Sequence, residues 1–192
     1  LRREQKNSLA VRRLAVVGML AAMVFIFTYI GIDIPSPLGK AKVHMGNVMC
    51  LLSGLLFGGV PGGLAAGIGS GLFDLMDPAW APESWITAIN KFAMAFVAGT
   101  LAKKLPLNRH AGYWVAGVAG AVSYCVLYVR KNILSGHFIK GCAWNVAILE
   151  TVTVKLPVTL VNALIAVVCS VLLAEALRPA LKRAGLFRGA LT

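Results

Sequence analysis

Two lysines, Lys91 and Lys155, stand in stretches that are otherwise almost free of charge. A lysine at the centre of a membrane span costs about 2.5–3.5 kcal/mol on insertion scales, so neither position is neutral. Lys91 falls at helical spacing with Thr87, Asn90 and Met94, and Lys155 with Thr151, Thr159 and Asn162. Residues three, four and seven apart share one face of an α-helix. Two such polar stripes predict a water-accessible cavity between two helices. The chemistry they support is binding, because ammonium groups can balance an anionic group or donate to carbonyl oxygens. The same lysines can instead snorkel to the interface or pair with Glu150, Asp74 or Asp77. Acid, base and nucleophile types are present in Asp74, Glu150, His137 and Cys142, but their spacing specifies no catalytic constellation. No HExxH or CxxC occurs, and the four cysteines read as small buried thiols. The GxxxxGK[ST] phosphate loop is absent. The run Gly67-Ile68-Gly69-Ser70-Gly71 lacks the third glycine of a dinucleotide fingerprint. No catalytic residue, metal site or cofactor is expected, and the chain cannot hydrolyse ATP through such a loop.

The elements that must hold these stripes follow from composition. The chain has 192 residues, 58% hydrophobic and 14% charged, with a mean hydropathy of +0.78. A soluble domain carries about 25% charged residues. A single all-α membrane domain over 1–192 is expected, and an ordinary soluble globule or a disordered chain is excluded. A helix needs about 20 apolar residues to cross the hydrocarbon. Uncharged or nearly uncharged runs predict spans at about 14–32, 84–102, 111–129 and 151–174. The basic N-terminus before 14–32 could suggest a signal peptide, but that run is longer than a signal core of about 7–15 residues. It reads as a retained first span. The uncharged run 45–73 is too long for one ordinary helix, and its centre reads Gly58-Gly59-Val60-Pro61-Gly62-Gly63. Such punctuation marks a turn, so two helices are expected, about 40–58 and 61–77.

Charge placement tests the six-span reading, because Lys and Arg concentrate on the cytoplasmic side. With six spans and both termini in the cytoplasm, twelve basic residues fall inside and five outside. A single span at 45–73 would give eight and nine. The formal charge of +12 is therefore mostly topology, and no nucleic-acid partner is required. Three loops, 33–44, 74–84 and 130–149, are then expected outside. Trp80, Trp85 and Trp144 fall near that boundary, either as members of an aromatic belt or as stacking partners for a flat ligand. Gly63, Gly67 and Gly71 repeat at intervals of four beside Gly62, Ala66 and Ser70, which predicts close helix packing. The first helix carries Gly18 and Ala22 beside Ala15, a face for internal packing or for a partner.

The segment His44-Met45-Gly46-Asn47-Val48, continued by Leu51-Leu52-Ser53-Gly54-Leu55-Leu56-Phe57-Gly58 and by the glycine-rich run 62–75, resembles the substrate-binding S components of energy-coupling factor (ECF) transporters, near the riboflavin-type group. Trp85-Ile86-Thr87-Ala88-Ile89-Asn90-Lys91-Phe92, Lys155-Leu156-Pro157 and Asn162-Ala163-Leu164-Ile165-Ala166 are similar to the same group, and the likeness covers about 10–175. The resemblance implies a multi-pass protein of the bacterial plasma membrane that captures a vitamin or precursor near the outer face. It also implies docking onto a membrane coupling subunit driven by two cytoplasmic ATPases. Carried over by position, the substrate residues would be Lys40, His44, Asn47, Asp74, Trp80, Trp85, Asn90, Lys91, Trp144, Asn145, Lys155 and Asn162, and the docking face Ala15, Gly18 and Ala22. Asn47 stands where the riboflavin-type pattern often has Asp, and Phe92 where it has Gly. Riboflavin is the first expectation from the resemblance, and these two departures bring a pyrimidine or a deazapurine (queuosine) precursor nearly level with it. The alternative from another class is a self-sufficient ion-coupled carrier in which Lys91, Lys155 and Glu150 titrate.

Overall fold

The computed structural model describes residues 2–36 and 39–184, with side chains described from Ala10 onward except at Gly39. Leu1, 37–38 and 185–192 lie outside the described residues, and with the last segment Arg188 of the charge tally. The chain order is α1 (Arg2–Tyr29), β1 (Gly31–Ser36), β2 (Gly39–His44), α2 (Gly46–Phe57), α3 (Gly59–Met76), α4 (Ser84–Lys104), α5 (Arg109–Phe138), α6 (Trp144–Glu150) and α7 (Leu156–Arg183). A short 3₁₀ turn, Ala81–Glu83, leads into α4, and a π-helical turn, Thr151–Lys155, joins α6 to α7. The described chain is mostly helical. Among the described residues, four helical stretches are long and apolar enough to cross a membrane: Ala10–Tyr29, Ala81–Lys104, Arg109–Phe138 and Trp144–Arg183. α2 is a shorter apolar helix, and α3 is diluted by glycine.

The all-α expectation needs one correction. Residues 31–36 and 39–44 pair as antiparallel strands, with Gly31 opposite His44 and Ser36 opposite Gly39, rather than an open loop followed by helix. The expected helix at 40–58 therefore starts only at Gly46. Lys40, Lys42 and His44 alternate with Ala41 and Val43, and an alternating pattern belongs to a strand rather than a helix. The Met45 amide donates to the Ile30 carbonyl at 3.0 Å and closes the hairpin base between α1 and α2.

α2 sits at the centre of the bundle, and every one of its residues is buried. It ends at Gly58, whose φ of +92° is a conformation that L side chains rarely adopt. The Gly58–Gly63 run thus breaks the long apolar segment where a turn is expected. The small residues of α3 serve packing inside the chain. Gly63 and Gly67 lie against Phe92 and Ala88 of α4, and a Cβ at Gly62 would stand 2.6 Å from the Gly54 backbone of α2. In lipid such close backbone approach supplies the packing that hydrophobic burial supplies in water.

α5 also differs from the sequence reading. It does not stop near 129 but continues to Phe138, so Lys131, Asn132 and Ser135 are helical rather than part of a loop. Its first turn is capped by the Asn108 side chain, which accepts from the Ala111 amide at 2.9 Å. The π-turn precedes Pro157, which has no amide hydrogen to continue the regular ladder. It leaves both Thr151 and Lys155 pointing into the protein, 1% and 4% exposed.

Candidate functional site

An enclosed cavity lies under the hairpin, between α3, α4, α5 and α7, with a volume of about 280 Å³. Its floor is α4 and α5. Lys91, 2% exposed, donates to the Asn47 amide oxygen of α2 and stands 4.0 Å from the centre of the Tyr124 ring. Met94, one turn further along the same stripe, is fully buried below it. Above Lys91, Thr87 accepts a hydrogen bond from the Lys131 ammonium at 3.2 Å. Lys131 also forms an ion pair with Glu83 at 2.8 Å, and Ser135 donates to the other oxygen of that carboxylate.

The α7 side is built from the second stripe. Lys155 donates to the Asn132 amide oxygen at 3.1 Å and lies 3.6 Å from the Glu150 carboxylate, both lysine and glutamate being buried. Of the alternatives for Lys155, pairing with Glu150 is the observed one. Asn132 in turn donates to the Tyr128 carbonyl at 2.8 Å. Asn162 ties both ends of its amide to the hairpin. Its oxygen accepts from the His44 amide at 3.0 Å, and its nitrogen donates to the Lys42 carbonyl at 2.7 Å.

The hairpin forms the roof. Lys40 reaches Asp77 at 2.8 Å and Asp33 at 3.3 Å, and stands 4.5 Å from the Trp80 ring centre. Ser36, at the far end of β1, donates to Glu150. The hydrogen bond from Lys40 holds the Asp77 carboxyl below its ordinary range, and Asp77 holds the Lys40 ammonium above its own. His44 accepts from the Gly46 amide through Nδ1 at 3.1 Å, which places any ring proton on Nε2.

Of the residues singled out from the sequence, Lys40, His44, Asp74, Trp80, Lys91, Lys155 and Asn162 line the cavity. Asn47 and Asn90 are buried behind the wall, each with an amide nitrogen that has no partner. Trp85 is 63% exposed on the outside of α4 and lies away from the cavity. Trp144 stacks on His137 with ring centres 4.1 Å apart, and exposed Asn145 accepts from the neighbouring Val146 amide. Ala15, Gly18 and Ala22 sit on the exposed side of α1, opposite Val16, Leu20 and Val24. The wall also contains residues the sequence reading did not put in the site: Tyr124, Tyr128, Lys131 and Asn132 from α5, Phe73 from α3 and Lys42 from β2. Their signal was available in the spacing of Tyr124, Tyr128, Lys131 and Ser135, which is one helical face. The cavity thus offers aromatic surface, several ammonium groups and two carboxylates, a set suited to holding a polar, flat small molecule.

The fold has a counterpart among known structures. A solved structure, described as "Structure and mechanism of the S component of a bacterial ECF transporter", superposes with a TM-score of 0.64 at 21% identity, covering 91% of this chain and 99% of that one. A curated relative from Pyrococcus woesei, described only as an uncharacterized protein in a gap 3′ region, is 39% identical over 51 residues, 26% of this chain. The chain spans about a third of that relative's length, 34%. The family described as "ECF-type riboflavin transporter, S component" matches residues 8–179. The chain belongs to the ECF-type riboflavin transporter S component family.

Proposed function

We propose that this chain captures a small heterocyclic vitamin or precursor from outside the cell in the cavity beneath the hairpin, and passes it inward only together with an ECF module. Riboflavin is the first substrate, with a pyrimidine or deazapurine precursor of similar flatness next. The observation that carries the reading is the enclosed space of about 280 Å³ in which Tyr124, Tyr128 and Phe73 face lysine and amide side chains. Rings favour stacking on a flat heterocycle, and the polar groups suit its carbonyl and ring-nitrogen edge. Lys40, His44, Asp74, Trp80, Lys91, Lys155 and Asn162 are the proposed contacts, with Asn47 and Asn90 behind them, while Trp85, Trp144 and Asn145, outside the cavity lining, are dropped from the contact set. Six spans with both termini in the cytoplasm, in the bacterial plasma membrane, fit the helix order and put the hairpin outside. The small-residue face of α1, Ala15, Gly18 and Ala22, is the proposed contact for the membrane coupling subunit, which two cytoplasmic ATPases drive.

Uptake of labelled riboflavin and of pyrimidine and deazapurine precursors into cells separates this from an ion-coupled carrier. Uptake should require this chain, the coupling subunit and both ATPases, and should stop when ATP hydrolysis is blocked by mutation. Uptake by this chain alone, abolished by an uncoupler, would overturn the reading.

A further inference from the structure

The cavity wall is unbalanced in charge. Six lysines reach it, Lys40, Lys42, Lys91, Lys131, Lys140 and Lys155, against two carboxylates, Asp74 and Glu83. Lys40 lies 2.8 Å from Asp77, Lys42 3.9 Å from Asp33, Lys131 2.8 Å from Glu83 and Lys155 3.6 Å from Glu150. Asp33, Asp77 and Glu150 do not line the cavity, so a molecule in it meets the ammonium groups first.

Lys91 is different. It is almost wholly buried, and among the described residues no carboxylate lies within ion-pair distance of it. Its two contacts, the Asn47 amide oxygen and the face of Tyr124, carry no formal charge. Asn47 cannot turn its amide around without setting NH₂ donors against the ammonium, and its nitrogen already lacks a partner. A buried ammonium without an anion is costly, and an amide oxygen and a ring face return only part of its lost hydration. Asp74 shares the cavity but forms no ion pair with Lys91; Thr87 hydrogen-bonds to its carboxylate, which has further lone pairs for a donor on the ligand.

We infer that Lys91 receives an acidic group of the ligand: the cavity takes a small molecule bearing a carboxylate or phosphate, with its remaining polar hydrogens toward Asp74. The inference rests on the capture reading and narrows it to anionic substrates. The outer lysines, Lys40, Lys42 and Lys140, add a positive field at the mouth that concentrates such anions.

The test uses the full chain in detergent. Thermal unfolding is followed while sodium phosphate is titrated against sodium chloride at equal ionic strength, for wild type, Lys91→Met and Asn47→Asp. Asn47→Asp changes one atom at an existing contact and gives Lys91 a carboxylate of its own, so it keeps the test decisive if Lys91→Met fails to fold. Wild type is expected to show a saturable rise in Tm with phosphate, as a ligand of the folded state must produce. Both variants are expected to weaken phosphate about tenfold or more, the loss expected when a buried charge partner is taken away. No phosphate-specific rise in wild type, or a rise undiminished in Asn47→Asp, overturns the inference. A second arm compares riboflavin with riboflavin 5′-phosphate. Preference for the phosphate ester in wild type, lost in Asn47→Asp, supports the acid site, and equal binding of both overturns it while capture stands. Binding of neither counts against the flavin reading alone, and the phosphate titration then decides the inference by itself.

Discussion

Lys131 and Glu83 meet at 2.8 Å with side chains 7% and 8% exposed, and at this depth each is the other's charged substitute for lost water, beside the hydroxyls of Thr87 and Ser135. Replacing Lys131 by Met strands the Glu83 carboxylate, and is expected to destabilise the protein by about 3–5 kcal/mol. The double replacement Lys131→Met with Glu83→Gln should recover most of that loss, measured as Tm in detergent. Equal losses in single and double variants would show that the pair does not act as a unit. At the roof, Lys40 and Asp77 are more exposed, and their role is a latch rather than a source of stability. Asp77 titrates below its ordinary value because Lys40 donates to it, so its contribution is complete above about pH 4 and lost as pH falls through the lowered value. Lys40 titrates above its ordinary value because of Asp77, so its share is complete below about pH 10 and lost as pH rises through the raised value. A spin-label distance from the hairpin to the turn at Ala79 should therefore stay constant from about pH 5 to 9. It should lengthen in Asp77→Asn at every pH. A distance that changes smoothly across neutral pH would contradict the latch.

The hairpin is held by α7 as well as by its own ladder, and Asn162 is the clamp. Asn162→Leu leaves the His44 amide and the Lys42 carbonyl without their partners. Each buried backbone group left unmade costs about 1–3 kcal/mol. Hydrogen exchange at the β2 amides should accelerate strongly in this variant while exchange in α2 stays slow. Unchanged exchange in β2 would mean the hairpin is held elsewhere. The α-helical elements were largely legible in the sequence, because uncharged runs and the Gly58–Gly63 break reflect lipid and chain geometry directly. The hairpin was not, since a long apolar segment masked the short alternation Lys40, Lys42, His44. The end of α5 was missed for a related reason. Arg130 and Lys131 look like the close of a span when counted as charges, yet Arg130 points outward and Lys131 turns inward to Glu83. A pairing partner 48 positions away cannot be seen in a local window. The Lys91 and Lys155 stripes were visible because an isolated lysine in an apolar run is expensive wherever the helix lies. The α5 half of the cavity lacked such a cue.

At the scale of the molecule, the glycines of α3 and the small residues of α1 have opposite surroundings. A Cβ at Gly62 would meet the Gly54 backbone at 2.6 Å, whereas nothing lies within 4 Å of a Cβ at Gly18. Gly62→Leu is expected to destabilise the bundle by about 1–3 kcal/mol or more through overpacking. Gly18→Leu should leave the Tm of the isolated protein within a degree or two of wild type, as exposed substitutions usually do. The same variant should abolish co-purification with the coupling subunit if that face docks. Intact co-purification of Gly18→Leu would move the docking surface elsewhere. The central claim, that the isolated chain captures a small molecule in the cavity over Lys91, is tested most directly by mass spectrometry. Purified wild type and Lys91→Ala are incubated with concentrated cell extract, washed and denatured, and the released small molecules are identified. A heterocyclic micronutrient released by wild type and depleted in Lys91→Ala is the expected result. A ligand retained equally by both proteins, or nothing retained by wild type at saturating extract, would contradict it.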